Sequence, residues 1–364
     1  MYKNFLLCFL KHSQNTFKTA NPSILEKKGF FVVIVFPKRE VHGGTGKRQR
    51  EKTKKNVLDF SASTNPFPPL FAWHCDPAFL AYYPDDSYAE LKRQIASTFN
   101  RTPEEICVGN GSIEIIRVFC SVALKGKERT FFTESPTFGE YALSARLAGA
   151  ERVEKPQKAD VSFICNPNNP TAILQKKSEM KIHLESIKSH GGLLFCDEAF
   201  IELSDPAQSM VDVRDPNLFV LHSLTKSFSV PGIRFGYGFG DPDVIDKIEI
   251  TRPPWSVNAF AEAYAMEAFK HMEELTASRA AIAQERDRLA AEINALGLRC
   301  NPSSANYILV EYGRNVTSLC AALAHRDILV RDCTSFELPT CIRVAVRTRE
   351  ENHVLLEALS ACMH

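Results

Sequence analysis

The sequence has no excess of charge of either sign. Its 364 residues include 44 lysines and arginines and 43 aspartates and glutamates, which gives a formal net charge of +1 with histidine neutral. Because a balanced chain creates no overall field that attracts nucleic acid or an acidic membrane, we expect neither as a partner. The composition favours a small-molecule substrate, and the length suggests two lobes of ~100–200 residues each.

Paired cysteines are also missing. The sequence has 11 cysteines, an odd number, and no two of them form a CxxC pair. This pattern excludes a disulfide framework and a clustered zinc site, so no metal is expected. Scattered free cysteines are typical of proteins kept in a reducing cytosol, and we expect a cytoplasmic location.

The N-terminus lacks an apolar run of bilayer length. Residues 5–10 (FLLCFL) are apolar but too few to span a membrane, and a small-residue cleavage site does not clearly follow them. Two interpretations are open, a degenerate export signal and an extension of residues 1–40 outside the fold, which could begin at an upstream start codon. We favour the extension. Residues 30–36 predict a strand, residues 47–55 predict a solvated linker, and no function is assigned before Val41.

From residue 57 onward, apolar strands alternate with helices. Continuous apolar strands separated by helices predict an α/β fold with a mostly parallel sheet covered on both faces. The segments are strands at 129–133, 161–165, 193–196 and 218–221, and helices at 113–124, 141–148 and 178–190.

The C-terminal third predicts a smaller α+β lobe. One long helical region, continuous or bent, leads into it from about Asn258 to Leu296, and helices of this length usually bridge lobes. The expected organisation is an N-terminal arm at 41–75, a large domain at 76–270 and a small domain at 271–364.

Four polar motifs follow the predicted strands. They are GNGS at 109–112, CNPNNP at 165–170, DEAF at 197–200 and HSLTK at 222–226. In sheets of this kind, ligands bind at the carboxyl ends of the strands, so the four motifs should converge on one edge. A glycine turn such as GNGS between a strand and a helix also offers free backbone N–H groups to an anion.

The side chains of these motifs meet the demands of pyridoxal 5′-phosphate. Asp197, which would be costly to bury unpaired, can keep a pyridine nitrogen protonated, and Asn169 can hydrogen-bond a ring oxygen. Lys226 can form a Schiff base with an aldehyde. A phosphate would be surrounded by Gly111, Ser112, Ser223, Thr225 and Arg234.

Simpler explanations exist for each residue taken singly. Asp197 could cap a turn, Asn169 could be an ordinary loop asparagine, and Arg234 could pair with a surface acid. The glycines between Gly232 and Gly240 do not indicate a dinucleotide-binding loop, because no helix follows them immediately. The common order and strand-end placement of the motifs favour the cofactor site.

The motifs CNPNNPT, DEAF and SLTKSFSVPGIRFG resemble those of fold type I pyridoxal-phosphate enzymes, close to the histidinol-phosphate aminotransferase group. The resemblance extends from about Val41 to the C-terminus. It implies a large domain with a mostly parallel sheet and a smaller α+β domain. Within the group, the HGG lead at 42–44, LDFSASTNP, DEAFIEL and RVAVR look like the threonine-phosphate decarboxylase branch of cobalamin biosynthesis.

The resemblance also implies roles for residues elsewhere in the chain. Tyr141 would stack on the cofactor ring, and Tyr83 would reach the cofactor phosphate of a second subunit, which implies a homodimer with shared active sites. A phosphorylated amino-acid substrate would be held by His42, Gly43, Asn65, Arg331 and Arg343.

The sequence departs from the family pattern at three positions. Phe200 stands where the aminotransferases commonly have a tyrosine, Ala172 where glycine is usual, and Thr45 where asparagine is expected. Phe200 favours decarboxylation of L-threonine O-3-phosphate to (R)-1-aminopropan-2-yl phosphate. Transamination of histidinol phosphate with 2-oxoglutarate is the alternative. A non-catalytic relative is disfavoured because Lys226 and Asp197 are both present.

Overall fold

The computed structural model describes residues 21–27 and 30–363. One unit ends at Val41, and the second begins at His42. In the first unit, strands β1 (Asn21–Lys27) and β2 (Phe30–Phe36) form an antiparallel pair, which confirms the strand predicted at 30–36. The apolar segment at residues 5–10, with its two interpretations, lies outside the described residues.

Helices and strands alternate along most of the second unit, as the sequence predicts. Its elements are, in chain order, α1 (Gly46–Thr53), β3 (Leu58–Asp59), α2 (Ala89–Phe99), β4 (Ile106–Gly109), α3 (Ser112–Ala123), β5 (Thr130–Thr133), α4 (Glu140–Leu147), β6 (Glu151–Arg152), β7 (Val161–Cys165), α5 (Lys177–Lys188), β8 (Leu193–Asp197), β9 (Leu218–Ser223), α6 (Leu224–Ser227), β10 (Gly236–Phe239), α7 (Pro242–Thr251), α8 (Ala259–Ala268), α9 (Leu275–Ala295), β11 (Arg299–Cys300), β12 (Tyr307–Glu311), α10 (Thr317–His325), β13 (Ile328–Leu329), β14 (Arg331–Asp332), β15 (Cys341–Ala345) and α11 (Arg349–Met363).

A seven-stranded sheet carries the four polar motifs. Its strand order is β4, β10, β9, β8, β7, β5, β6, and β10 runs antiparallel to both of its neighbours while the other strands are parallel. Successive side chains of β8 enter different apolar cores, because Leu194 and Cys196 pack on one face and Phe195 on the other. A strand buried on both faces needs the continuous apolar run seen in the sequence.

The C-terminal lobe is built on a second, four-stranded antiparallel sheet. Its order is β11, β12, β15, β14, and α9, α10 and α11 contribute to the apolar cluster beside it. Strand β3 pairs in parallel with β13, with Leu58 opposite Ile328, so the segment after β3 starts at this lobe. The domain boundaries expected at 75/76 and 270/271 stay predictions.

One local prediction is wrong. Residues 47–55 are not a linker, since Gly46–Thr53 form α1, and lysine, arginine, glutamine and glutamate are good helix formers. Of the two forms expected for the helical region from Asn258 to Leu296, continuous or bent, the structure has the bent one, because a 3₁₀ segment, Phe269–Glu274, separates α8 from α9. Its start is as expected, because Oδ1 of Asn258 accepts a hydrogen bond from the Ala261 N–H at 3.0 Å.

Within residues 21–27 and 30–363, none of the helices combines the length and the apolar composition needed to cross a bilayer.

Candidate functional site

The ends of β7, β8 and β9 bring three motifs side by side. In the sheet register, Asp197 at the end of β8 lies opposite Cys165 of β7 and Leu221 of β9. Ser223, which ends β9, lies opposite Gly236 of β10, and Gly236 in turn lies opposite Gly109 of β4. The strand-end motifs therefore meet on one edge of the sheet, as the sequence predicts.

Asp197 is a buried carboxylate, only 4% exposed. Tyr141 donates its hydroxyl to Oδ2 at 2.6 Å, and the Ala199 N–H donates to Oδ1 at 2.9 Å. Burial raises the pKa of Asp197, and the hydrogen bonds from Tyr141 and Ala199 offset this only in part. A cation beside the carboxylate would offset the remainder, and a protonated pyridine nitrogen is such a cation.

Lys226 lies in the short helix α6, directly after β9, and is partly buried. The pKa of its amine is lowered to about 8, first by loss of hydration and then by the positive charges of Arg343 and Arg234, while Asp197 opposes them. Its Nζ is 5.8 Å from the centre of the Phe200 ring. An amine with this pKa is partly uncharged near neutral pH, so it can act as a nucleophile or proton acceptor.

An anion cradle forms where β4, β9 and β10 meet. Gly111 has a φ of +80° and directly precedes α3, and a Cβ at this position would collide with Nη2 of Arg234. A Cβ on Gly236 would collide with the backbone nitrogen of Ser112. The two glycines thus allow a guanidinium and a helix N-terminus to approach closely, and this donor set suits a phosphate.

Two hydroxyl groups complete the cradle. Oγ of Ser223 and Oγ1 of Thr225 are 2.8 Å apart, and both residues are buried at the end of β9. Nη1 of Arg234 donates to the Pro231 carbonyl at 3.0 Å, which fixes the guanidinium beside Gly111. The residues predicted to hold a phosphate are therefore brought together, and together with Asp197 and Lys226 they fit a phosphorylated pyridine aldehyde.

Arg343 links this edge of the large sheet to the small lobe. Its Nη1 donates to Oδ1 of Asn169, and its Nη2 donates to the Ser61 carbonyl at 3.0 Å. Its Nε is buried and has no hydrogen-bond partner among the described residues. A guanidinium that is 6% exposed and bonded to neutral oxygens can still accept an anion as a partner. Because Oδ1 of Asn169 is occupied, its Nδ2 is the group left to donate toward a ring oxygen.

Arg331 lies beside Arg343. The two residues are directly opposite on β14 and β15, and Nη2 of Arg331 donates to Oγ of Ser335 at 2.7 Å. Ser61, which binds Arg343, also leaves no room for a side chain at Gly43, because a Cβ there would collide with its carbonyl. The predicted substrate residues Gly43, Arg331 and Arg343 are therefore close to one another.

His42 is held at the edge of this region by an acid. Its Nε2 is 2.8 Å from Oε1 of Glu140, and Nη2 of Arg117 is 2.7 Å from the other carboxylate oxygen. Burial would raise the pKa of Glu140, but the hydrogen bonds from His42 and Arg117 outweigh it and lower the pKa. The imidazole, with a side chain 43% exposed, still presents a face to solvent.

Tyr141 has surroundings different from those expected. The ring of Tyr141 is 0% exposed and stacks on Phe163 at 5.5 Å, while its hydroxyl binds Asp197. Phe138 is the partly exposed aromatic of this loop, with ring centres 5.9 Å from His42 and 5.5 Å from Tyr141. Stacking on the cofactor by Tyr141 stays a prediction, and Phe138 is the ring better placed for it.

Tyr83 lies on the surface rather than in the cluster around Lys226. Its side chain is 77% exposed, and its ring stacks on Trp255 at 4.4 Å. The predicted contact with a second subunit's cofactor phosphate requires an exposed side chain of this kind, and that role stays a prediction.

Asn65 also differs from the expectation. Its N–H donates to the Lys226 carbonyl at 2.9 Å, and its Nδ2 donates to the Ser227 carbonyl at 2.7 Å. Its Oδ1 accepts from the Phe67 N–H at 2.8 Å. The side chain is thus engaged with the protein backbone, and the structure does not direct its bonds toward a substrate.

Three further residues of this region were not predicted from the sequence. Glu140 binds His42, and Phe138 lies between His42 and Tyr141. Tyr307 donates its hydroxyl to the Asn168 carbonyl at 2.9 Å, and its ring lies between Phe200 and Arg343. The NYILVEY pattern predicts the strand that carries Tyr307, but no local signal indicates what that strand faces.

A buried histidine–carboxylate cluster lies behind Asp197. Nε2 of His222 is 2.9 Å from Glu198, its Nδ1 is 3.4 Å from Glu202, and the ring is fully buried. Burial alone would lower the pKa of His222, but the two carboxylates outweigh it and raise the pKa to about 9. Ser209 and the Met210 N–H also donate to Glu198. This cluster fixes the residues that flank Asp197 and Ser223.

The family profile described as aminotransferase class I and II matches residues 57–161 and 151–359. The chain belongs to this family. Membership confirms the predicted resemblance, the type I fold and pyridoxal 5′-phosphate as the cofactor. The chain is a pyridoxal-phosphate-dependent enzyme of the aminotransferase family.

Relatives with different reactions match this family member over most of its length. It is 32% identical to a histidinol-phosphate aminotransferase of Symbiobacterium thermophilum, with 86% of this chain and 93% of the relative covered. It is 34% identical to a protein of Caldanaerobacter subterraneus subsp. tengcongensis named "Putative threonine-phosphate decarboxylase", with 82% and 88% covered. The crystal structure of the histidinol-phosphate aminotransferase from Clostridium acetobutylicum matches with a TM-score of 0.74 and 28% identity, covering 84% of this chain and 98% of that chain.

Proposed function

We propose that this enzyme decarboxylates L-threonine O-3-phosphate to (R)-1-aminopropan-2-yl phosphate, the reaction of the aminopropanol arm of cobalamin biosynthesis. The observation that carries the proposal is the pair of buried arginines, Arg331 and Arg343, placed opposite each other, of which Arg343 lies near enough to the reactive amine to lower its pKa. Threonine phosphate has two anionic groups, a carboxylate and a phosphate. Two guanidinium groups, with His42 at the edge, suit the binding of both.

Bound pyridoxal phosphate supplies an acceptor for the electron pair that a broken bond leaves on the substrate's α-carbon. Asp197 would hold a proton on the ring nitrogen, and Nδ2 of Asn169 would donate to the ring oxygen. Gly111, Ser112, Ser223, Thr225 and Arg234 would hold the phosphate. Lys226 would anchor the cofactor and move a proton at the α-carbon, for which an amine with a pKa of about 8 is suited.

The arginines would decide which bond breaks. By binding the substrate's carboxylate, they would fix its orientation in the site, so that carbon dioxide rather than a proton leaves the α-carbon. Phe200 supports this proposal, because it contributes no hydroxyl beside Lys226 and packs edge-on against Tyr307, with ring centres 4.9 Å apart. The ring oxygen would then depend on Asn169 for its hydrogen bond.

A second candidate is transamination of histidinol phosphate with 2-oxoglutarate. It is favoured by the 32% identity to the Symbiobacterium thermophilum aminotransferase over 86% of this chain. The same two arginines would serve the two carboxylates of 2-oxoglutarate, so charge alone does not separate the candidates.

The deciding experiment compares products. Purified enzyme with pyridoxal phosphate and threonine phosphate should release carbon dioxide in amounts matching the phosphorylated amine, and Lys226→Ala should release none. A parallel reaction with histidinol phosphate and 2-oxoglutarate should form little glutamate. Glutamate formation without release of carbon dioxide from threonine phosphate would reverse the order of the candidates.

We also propose a homodimer with shared active sites. An exposed apolar surface supports it, in which Tyr83 stacks on Trp255 and nearby chain positions carry further exposed apolar residues. These exposed side chains include Leu70, Phe79, Leu80 and Tyr82. Large exposed apolar side chains close together mark interaction surfaces in soluble proteins.

A further inference from the structure

A proline-rich segment, residues 65–73 (NPFPPLFAW), packs along the helix that carries Lys226. We call this segment the strap. Asn65, at its start, is 1% exposed and donates two hydrogen bonds, to the carbonyls of Lys226 and Ser227. The strap therefore begins with direct contacts to the two residues that end α6.

The strap is held at two further points. Oγ of Ser278 donates to the Phe67 carbonyl at 2.6 Å. The Phe71 ring stacks on His271 at 4.4 Å and meets Phe228 edge-on at 5.9 Å. The hydrogen bond from Ser278 contacts only the strap, whereas the hydrogen bonds of Asn65 reach the backbone of the reactive lysine.

Helix α6 needs support from outside itself. It contains four residues, Leu224–Ser227, so it is barely longer than one turn and cannot be stable alone. Its terminal carbonyls have few partners within the helix. Asn65 supplies donors to the last two of them, while its Oδ1 is fixed by the Phe67 N–H.

We propose that Asn65 is a positioning residue that fixes the backbone of Lys226 and so holds its amine in the site, rather than a residue that binds substrate. The inference deepens the proposed function, since it rests on Lys226 being the reactive amine. Nδ2, Oδ1 and the backbone N–H of Asn65 are all engaged within the protein. A role in substrate binding would require at least one of these bonds to break.

The position of the backbone matters because the amine's reactivity depends on where it lies. Its pKa of about 8 results first from lost hydration and then from the charges of Arg343 and Arg234. If the end of α6 moved outward, the amine would regain water and retreat from both guanidinium groups. Its pKa would then rise toward the ordinary value of 10.5.

The experiment measures the amine in the full chain freed of its cofactor. Trace acetic anhydride labels lysines in proportion to their uncharged fraction, and mass spectrometry quantifies the peptide containing Lys226 at each pH. The wild-type midpoint should lie near pH 8. In Asn65→Ala the midpoint should rise by about one pH unit, so that labelling at pH 8 falls about fivefold.

Ser278→Ala is the matched control. It also removes one buried hydrogen bond to the strap, but that bond does not touch α6, so its labelling profile should match the wild type. Asn65→Leu keeps the side-chain volume and adds no charge while losing the donor to Ser227, and it should shift the midpoint as Asn65→Ala does. It also serves if Asn65→Ala does not fold. Thermal unfolding of each variant shows whether the fold is intact.

An unchanged labelling profile in a folded Asn65 variant would overturn the inference. Equal shifts in the Asn65 variants and Ser278→Ala would do the same, because they would show only a general loosening of the strap. Neither result depends on the reaction catalysed. Failure of the proposed function would appear separately, as absence of carbon dioxide from an enzyme whose Lys226 labels normally.

Discussion

Arg331 and Arg343 lie directly opposite each other on the antiparallel strands β14 and β15, and each is only 6% exposed. The guanidinium of Arg343 has lost most of its hydration, and this burial lowers its pKa. Arg343 also lowers the pKa of the Lys226 amine. An anionic substrate bound to Arg343 would offset this positive charge, so substrate binding and amine reactivity are linked through one residue.

Arg343→Ala should lower kcat/KM by about 10- to 100-fold, because it removes a charged hydrogen-bond donor worth ~1.5–3 kcal/mol. The absorbance band of the bound cofactor should persist. Steady-state kinetics and an absorption spectrum of the same preparation check both statements. Arg347→Ala is the control, since Nη2 of Arg347 already pairs with Glu351 at 2.7 Å. Loss of the band in Arg343→Ala would show that the arginine mainly holds Asn169 in place.

Lys226→Met should abolish covalent attachment of the cofactor and stabilise the cofactor-free protein near neutral pH. The folded-state pKa of Lys226 is depressed from 10.5 to about 8, so the unfolded chain binds the proton more tightly between these values. The resulting cost to the native state is full below pH 8 and disappears as the pH rises through 10.5. It is on the order of 3 kcal/mol at most.

Denaturant unfolding at pH 7 and pH 10.5 tests whether protonation of Lys226 destabilises the native state. The gain in stability of Lys226→Met over the wild type should be larger at pH 7 than at pH 10.5. A gain of the same size at both values would mean that the extra apolar contact, and not the charge of the amine, is responsible.

The His222 cluster should make stability fall at alkaline pH. Because the folded-state pKa of His222 is raised from 6.5 to about 9, its contribution is complete below pH 6.5 and is lost as the pH rises through 9. The loss is on the order of 2–3 kcal/mol. Chemical unfolding of His222→Gln and wild type between pH 6 and 9.5 should show a difference that shrinks with pH. His183→Gln, whose ring bonds the neutral Gln175, is the control and should follow the wild type.

Tyr83→Ala and Lys226→Ala should complement each other if sites are shared between subunits. Each variant alone should have low activity. After co-refolding, a hybrid dimer has one site with both native residues, so about a quarter of wild-type activity should return by random pairing. Lys226→Ala mixed with Asp197→Ala should regain nothing, because both residues serve the same subunit's site. Failure of the first mixture to recover would place Tyr83 outside the neighbouring site.

Residues at the ends of parallel strands could be predicted from the sequence. Asp197, Ser223 and Lys226 each follow a buried apolar run, and the carboxyl ends of such runs must meet at one edge of a parallel sheet. The location of the GNGS turn at the same edge of the sheet could be predicted for the same reason. The chemistry of the cofactor site is thus largely local in the sequence.

Other contacts depend on register between distant segments, which local patterns do not specify. The Tyr307 hydroxyl reaches the Asn168 carbonyl, 139 positions away, and no local pattern specifies a contact between segments this far apart. The sequence predicts that Asn65 binds substrate. Nothing in NPFPP (residues 65–69) indicates that the strap lies against α6 instead. The apolar pattern after Asn258 left open whether the helical region bends, and the structure places the break at Phe269–Glu274.

Neighbouring residues of α4 act at two ends of the site. Glu140 holds His42 at the entrance, and Tyr141 holds Asp197 at the floor. Because the two share one peptide bond, a rotation of α4 that relaxed the entrance would also withdraw the hydroxyl from the carboxylate. Attempts to widen the enzyme for bulkier substrates by altering this helix would therefore change the acidity around the cofactor ring as well, and the opposite wall would be the safer one to redesign.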